Sequence, residues 1–375
     1  MGGRHSLTVF RVRGIPVRLH YTFALVLPYL AWAIARTIPA LARLAQMSPA
    51  ELVLPPLALG AMLALGLFAC VLIHEFAHVF VGLRGGARVS GVTLMLVGGV
   101  SEVTEFPRRP VGEAAMALAG PLASVALAGA CFLLFGAARP PDVRFGLHYL
   151  GYVNLGLAVF NLIPAFPMDG GRILRAVLNL FTSRVRATTI AAWAGQVIAI
   201  AFLIAGAYSL NWVLLFIGVL VIVGARSELK MVRSTAQLEG ITVGQAMQRF
   251  PPVVDVEERM SMLLERMRRE LRTTYFVVRG TELVGAVTLE EARRSQDIED
   301  FSTVDSAMRR DVPTLAPEAP LSSAALLLRT TGLTCVPVVQ GRSLVGSVSR
   351  ASIAAALQRR DAAREPGALR EREAT

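Results

Sequence analysis

The sequence predicts a polytopic α-helical membrane protein of about six transmembrane helices, followed by a soluble α/β region. Of its 375 residues, 54% are hydrophobic, which is a high share for a soluble protein. Apolar stretches of near-spanning length recur up to about Arg226, and from Ser227 onward no apolar run of about 18 residues occurs. We therefore expect residues 1–226 to form a transmembrane domain and residues 227–240 to link it to the soluble region.

Six apolar stretches predict the transmembrane helices, because about 20 helical residues cross the hydrocarbon core of a bilayer. The stretches cover residues 18–36, 53–82, 113–136, 148–168, 187–207 and 211–225. The last one is short and could form a tilted pair with its neighbour. The first one follows a basic segment and lacks a small-residue cleavage site, so we expect it to be retained as an anchor.

The net charge of +11 is concentrated in particular loops. Arginines crowd the segment before the first apolar stretch and the loops after the second and the fourth, whereas the alternate loops contain few. The positive-inside rule then places the N-terminus, these loops and the C-terminal region on the cytoplasmic side of the cell membrane. Since topology explains the basic charge, no nucleic-acid partner is expected.

A metal-binding motif, His74-Glu75-Phe76-Ala77-His78, lies near the end of the second apolar stretch. Helical residues four apart share a face, so His74 and His78 can bind one Zn²⁺ while Glu75 reaches the metal-bound water. The alternative is a chance match, expected on the order of once in a few hundred such sequences. An ionisable residue in a membrane span costs at least about 2.5 kcal/mol at its centre, which favours a functional site.

A catalytic zinc needs a third protein ligand, which elimination identifies. The transmembrane domain contains seven acidic residues: Glu51, Glu75, Glu102, Glu105, Glu113, Asp142 and Asp169. Glu51 and Asp142 belong to loops on the opposite face, and Glu75 is assigned as the base. Asp169 ends the fourth stretch at the depth of the histidines and is the best candidate, although Pro167 to Gly170 could be a plain turn. The other three glutamates are interpreted as solvated charges in or next to a loop.

Asn161 lies about two turns before Asp169, in a segment interrupted by Pro164 and Pro167. Proline breaks the helical hydrogen-bond ladder, and irregular backbone at membrane depth persists only when it is buried in protein or lines a wet cavity. The Asn161 amide is therefore available to donate to a developing oxyanion. A plain interhelical hydrogen bond is the alternative.

These motifs closely resemble the site-2 protease family of zinc intramembrane proteases. The resemblance covers about residues 10–225 and rests on the H-E-F-A-H helix, the block from Asn161 to Arg172 and the six-span layout. It implies one catalytic Zn²⁺ bound by His74, His78 and Asp169, Glu75 as general base and acid, and Asn161 stabilising the tetrahedral intermediate. It also implies cleavage in or near transmembrane segments of membrane-anchored regulatory proteins.

The same resemblance implies a membrane-associated β-hairpin at residues 89–106, with Gly98, Gly99 and Val100 at an edge that binds the substrate. The physical reason is that a helical peptide bond is protected by its hydrogen bonds. The scissile segment must therefore be extended, and an exposed edge strand can hold it by β-augmentation. An ordinary cytoplasmic hairpin is the alternative.

The soluble region is an internal repeat with an offset of 61 residues. Thr242-Val243 aligns with Thr303-Val304, and Leu283-Val284-Gly285 aligns with Leu344-Val345-Gly346. The repeat resembles a pair of CBS domains, at residues 241–300 and 301–358. The charged tail that follows, residues 359–375, lacks aromatic residues and is expected to be disordered.

CBS pairs often bind adenine nucleotides and pass their occupancy to an attached domain. The family's ribose-contacting aspartate, which follows the G-x-x-[ST] element, is replaced here by Glu291 and Ser352. We therefore expect weak or absent nucleotide binding, and favour a role as an adaptor for the substrate or in homodimerisation.

Two other functions remain open on the sequence. A CBS-regulated transporter or channel should carry polar residues through several spans, whereas here they converge at one depth in two spans. A catalytically inactive protease relative should have lost a ligand or Glu75, and none of these residues is missing.

Overall fold

The computed structural model describes residues 6–95, 98–107, 109–296 and 303–364. The chain divides into two compact units, Met1–Val232 and Arg233–Thr375. The division falls within residues 227–240, which the sequence predicts as a linker. This segment is helical through Leu238, as the end of the seventh helix of the chain.

Helices dominate the described part of the first unit. In chain order they are α1 (Phe23–Leu44), α2 (Pro56–Arg84), α3 (Pro110–Phe135), α4 (Pro141–Asn161), α5 (Asp169–Leu178), α6 (Arg184–Tyr208) and α7 (Trp212–Leu238). Within the described residues, five are long and apolar enough to cross a membrane, namely α1, α2, α3, α6 and α7. The fourth predicted stretch corresponds to α4, which is 21 residues long but less apolar than the other five, because its first half contains Asp142, Arg144 and His148.

Four strands form a sheet in the first unit: β1 (Ser6–Val12), β2 (Ile15–His20), β3 (Arg88–Met95) and β4 (Gly98–Glu105). The predicted hairpin corresponds to β3 and β4, which pair antiparallel, while the tip residues 96 and 97 lie outside the described residues. The sheet order is β1-β2-β3-β4, so β4 lies at an edge. The sequence did not predict β2, which pairs parallel with β3 and delays the start of the first long helix to Phe23.

The predicted fourth span is broken where its prolines lie. Helix α4 ends at Asn161, the backbone turns through residues 162–168, and α5 begins at Asp169. Pro164 and Pro167 cannot donate to a helical ladder, which explains the interruption. Asp169 therefore starts a short helix instead of ending a long one, and a carboxylate is favoured at a helix N-terminus.

The second unit is an α/β structure built on a five-stranded sheet of order β5-β6-β7-β9-β8. Its elements are α8 (Val243–Ala246), β5 (Val253–Asp255), α9 (Met260–Glu270), β6 (Thr274–Arg279), β7 (Glu282–Thr288), α10 (Leu289–Gln296), α11 (Val304–Ala307), α12 (Leu321–Thr330), β8 (Cys335–Gln340), β9 (Ser343–Ser349) and α13 (Arg350–Arg364). Each repeat has its own apolar core. The two copies exchange their first segments, since Val243 packs in the second core and Val304 in the first.

Helix α13 continues to Arg364, which makes residues 359–364 of the predicted disordered tail helical. The remaining tail residues, 365–375, lie outside the described part of the chain.

Candidate metal centre

Three side chains predicted as metal ligands converge in the first unit. His74 and His78 lie one turn apart on α2, and Asp169 is the first residue of α5. The Nε2 atoms of the two histidines are 3.1 Å apart, and Asp169 Oδ2 lies 3.3 Å from that of His74 and 3.1 Å from that of His78. All three residues are buried, so water competes little for their donor atoms.

The remaining ring nitrogen of each histidine has its own partner on α3. His78 Nδ1 donates to the carbonyl oxygen of Met116 at 2.7 Å, and His74 Nδ1 lies 2.9 Å from Ser124 Oγ. A proton held on Nδ1 leaves the Nε2 lone pair free for a metal. These contacts therefore orient both rings toward the common point that they share with Asp169.

The donor set fits zinc. Two imidazole nitrogens and one carboxylate oxygen are typical ligands of a catalytic Zn²⁺, which keeps a fourth position open. In a tetrahedral site with bonds of about 2.0 Å, ligand atoms lie about 3.3 Å apart, close to the observed separations.

Gly120 on α3 keeps the space at the two histidines free. A Cβ atom at this position would lie 2.2 Å from His78 Nε2 and 2.6 Å from His74 Nε2. The sequence predicts this helix as the apolar stretch 113–136, but it does not predict that Gly120 and Ser124 lie at the metal ligands, because neither residue is ionisable. The available signal was the spacing of Gly120 and Ser124 by four residues, since small residues at that spacing favour close helix packing.

Glu75 faces the edge strand of the sheet. Ser101 Oγ on β4 donates to Glu75 Oε2 at 2.6 Å, and a Cβ atom at Gly99 would lie 2.5 Å from Glu75 Cγ. The backbone of the predicted substrate-binding segment, Gly98 to Val100, therefore runs beside the predicted base. Glycine at position 99 is what allows this close approach.

Asn161 is the last residue of α4, and its Nδ2 donates to the carbonyl oxygen of Leu157 at 2.9 Å. This contact within its own helix uses one of the two N–H groups of the amide, so the other is free to donate. Its role in stabilising an oxyanion stays a prediction.

Two glutamates interpreted as solvated charges have ordered partners instead. Glu113 is 2% exposed and receives hydrogen bonds from Arg175 of α5, because the short helix brings this arginine inside the helical packing. Glu102 on β4 accepts from Arg18 at 2.8 Å and from Thr93 at 3.0 Å, which ties three strands together. The side chain of Glu105 lies outside the described part.

The helices, the buried His-His-Asp group and the neighbouring glutamate together define a membrane metalloprotease. The model of peptidase family M50 matches residues 62–144 and 136–206 of the chain, and the CBS domain model matches residues 243–297 and 301–359. The chain belongs to peptidase family M50, the site-2 protease family, and the metal of this family is zinc.

Individual relatives extend over nearly the whole chain. Rip3 from Mycobacterium tuberculosis is 31% identical over 372 residues, covering 94% of this chain and 92% of that protein. A zinc metalloprotease from Methanocaldococcus jannaschii is 29% identical over 357 residues, covering 94% of this chain and 96% of the relative. Among solved structures, the site-2 protease from the same archaeon is 32% identical and covers 60% of this chain and 95% of its own, with a TM-score of 0.42.

The second unit contains a separate cavity of about 320 Å³, lined by residues of both CBS repeats. Its walls include Arg272 and the two equivalent threonines Thr273 and Thr334. These hydroxyls are 3.3 Å apart, and that of Thr334 also donates to Thr274 Oγ1 at 2.9 Å. These threonine hydroxyls are thus engaged with one another across the two repeats.

The residues that replace the CBS ribose-binding aspartate are also engaged. Glu291 accepts from the backbone and hydroxyl of Thr288 and pairs with Arg309, while Ser352 accepts from the backbone of Ser349. Partial burial alone would raise the pKa of Glu291, but these hydrogen bonds and the Arg309 charge outweigh it and lower the pKa. Glu291 thus stays ionised and bound to its own unit.

Proposed function

We propose that this chain is a zinc-dependent intramembrane endopeptidase. Its substrates would be membrane-anchored regulatory proteins, cut in or near a transmembrane segment to release a fragment. The observation that carries the proposal is the buried His74, His78 and Asp169 group in a unit whose helices are long and apolar enough to span a membrane. Beside it lie Glu75 and the strand β4, whose outer edge has no strand partner among the described residues.

Each residue has a role in this proposal. His74, His78 and Asp169 would hold the zinc ion, which would supply Lewis acidity and lower the pKa of a bound water toward about 7. Glu75 takes the proton from the attacking water and later delivers it to the leaving amine. Asn161 donates its free N–H group to the oxyanion that develops on the scissile carbonyl.

The edge strand β4 would hold the substrate. Its outer edge has no strand partner among the described residues, and its inner residues Gly99 and Ser101 contact Glu75. A substrate segment that pairs with β4 at Gly98, Gly99 and Val100 would be extended and close to the base. This arrangement supplies the unwinding that cleavage of a transmembrane helix requires.

The closing test compares the wild-type chain with Glu75→Gln and Asp169→Ala in membranes of the native host. Glu75→Gln should retain zinc, lose cleavage and accumulate an uncut membrane protein that can be crosslinked and identified. Asp169→Ala should lose zinc and cleavage together. Cleavage by purified Glu75→Gln, or one zinc per chain in Asp169→Ala at wild-type affinity, would contradict the assigned roles.

We also propose that the chain is a multi-pass cell-membrane protein whose N-terminus, active-site opening and CBS pair face the cytoplasm. The arginine-rich loops support this orientation. Reporters fused after Arg226 should read as cytoplasmic and one near Ser48 as external. The opposite reading at Ser48 would reverse the orientation.

A further inference from the structure

A fully buried arginine lies beside the segment that carries the third ligand. Arg175 on α5 has no exposed surface, and its Nε donates to Glu113 Oε1 on α3 at 2.8 Å. A second nitrogen of its guanidinium also binds Glu113, and the third binds Glu228 on α7. One side chain thus joins three helices through hydrogen bonds to two carboxylates.

Such a cluster is not explained by stability alone. Burying ions costs several kcal/mol each, and buried ion pairs are often no more stabilising than well-packed apolar residues. Removing one partner, in contrast, leaves an uncompensated charge and is strongly destabilising. In some proteins, buried ionic groups are retained because they specify one arrangement of the surrounding helices, and the position of Arg175 between three helices is consistent with this role.

Arg175 connects the two helices that position the metal ligands: α5, which carries Asp169, and α3, which orients His78. Helix α5 begins with Asp169, and the Arg175 guanidinium also lies 5.1 Å from the ring centre of Phe166 in the loop that leads to this ligand. Its partner Glu113 lies one turn before Met116, whose carbonyl oxygen orients His78. The distance between the carboxylate and the histidines is therefore set across the bond between Arg175 and Glu113.

We propose that Arg175 is a positioning residue that fixes Asp169 at binding distance from the two histidines through its forked contact with Glu113. The inference rests on the metal-ligand set of the proposed function and goes beyond it, because Arg175 contacts neither the metal nor the substrate. The fork, and not the positive charge alone, is the required feature. Lysine offers a single ammonium group and cannot bind both carboxylates in the geometry of a planar guanidinium.

The experiment measures zinc affinity by chelator competition on the full-length protein in detergent, together with the visible spectrum of the Co²⁺-substituted site. The variants are Arg175→Lys, Arg175→Met and Asp169→Ala. Arg184→Met is the matched control, because Arg184 also pairs with Glu113, but at 3.6 Å, from a partly exposed position on α6. Unfolding temperature and elution volume report whether each variant is folded.

We expect Arg175→Lys and Arg175→Met to bind zinc about 10-fold more weakly or worse, with an altered Co²⁺ spectrum. Arg184→Met should stay within about twofold of the wild type, because Arg184 is partly solvated and the loss of its 3.6 Å contact leaves both bonds between Arg175 and Glu113 in place. Wild-type affinity and spectrum in a folded Arg175 variant would overturn the proposal, and Arg175→Lys decides if Arg175→Met does not fold. If Asp169→Ala keeps wild-type affinity, the ligand assignment of the proposed function fails instead.

Discussion

The metal centre and the CBS cavity are two polar sites of one chain that are built in opposite ways. At the metal centre, the supporting contacts use the Nδ1 atoms and leave the two Nε2 atoms and Asp169 Oδ2 directed at a common point. In the CBS repeats, Glu291, Ser352 and the threonines at the cavity hydrogen-bond to their own unit. A site can bind a ligand when the hydrogen bonds that orient its side chains use other atoms than those that bind the ligand.

The largest effect is expected from filling the space between the metal-binding nitrogens, because this would make the metal centre as unable to bind a ligand as the CBS repeats are expected to be. Gly120→Ala places a Cβ atom 2.2 Å from His78 Nε2, so zinc binding and cleavage should both be lost. Gly129→Ala on the same helix is the control, because a Cβ atom there has no neighbour within 4 Å. Zinc content by atomic emission checks the prediction, and stoichiometric zinc in a folded Gly120→Ala variant would contradict it.

A second variant separates metal binding from the oxyanion donor. Asn161→Ala should lower turnover by about 10² to 10³, because one donor to a developing oxyanion is removed. Zinc content and unfolding temperature should stay unchanged, since the amide of Asn161 bonds only within its own helix among the described contacts. A lower unfolding temperature with unchanged specific activity would instead assign Asn161 a structural role.

A third variant tests the strand beside the base. Gly99→Pro removes a backbone donor and restricts the chain where β4 approaches Glu75, so cleavage of a membrane substrate should be blocked while zinc is retained. The assay is cleavage of a reconstituted substrate with zinc measured on the same sample. Normal cleavage by this variant would show that pairing with β4 is not required for substrate binding.

The smallest effect is expected at the CBS pair. Because Glu291 and Ser352 are engaged within the unit, titration with AMP or ATP by calorimetry should give little or no heat at micromolar nucleotide. A Glu291→Asp, Ser352→Asp double variant is the informative comparison, since it restores the family's acid at both positions. Micromolar binding by the wild type, with a nucleotide-dependent cleavage rate, would assign this unit a sensing role instead of docking or dimerisation.

The sequence predicted what depends on local spacing. His74 and His78 are related by one helical turn, and Pro164 and Pro167 mark the break before Asp169, so these features could be read along the chain. The sequence could not predict the parallel pairing of β2 with β3, because that contact joins residues about 75 apart, as Val17 and Val92 are.

The burial of Glu113 escaped prediction for a related reason. Its position next to a loop favoured a solvated charge, and its partner Arg175 lies 62 residues away. Gly120 and Ser124 were missed because an apolar helix with small residues gives no sign of which neighbour it will approach. The burial of Glu113 and the packing of Gly120 and Ser124 depend on residues distant in the sequence, and not on local propensity.

The charge cluster also sets an order for biogenesis. Glu113 leaves the ribosome first, Arg175 follows 62 residues later and Glu228 another 53 residues later. At common synthesis rates the last interval takes about 3 to 10 s, during which the Arg175 guanidinium lacks one carboxylate. A chain that stops before Glu228 therefore has Arg175 paired with Glu113 alone, and one nitrogen of the guanidinium lacks its carboxylate partner. Complete pairing of the Arg175 side chain thus requires translation into α7, well after the Asp169 segment itself has been made.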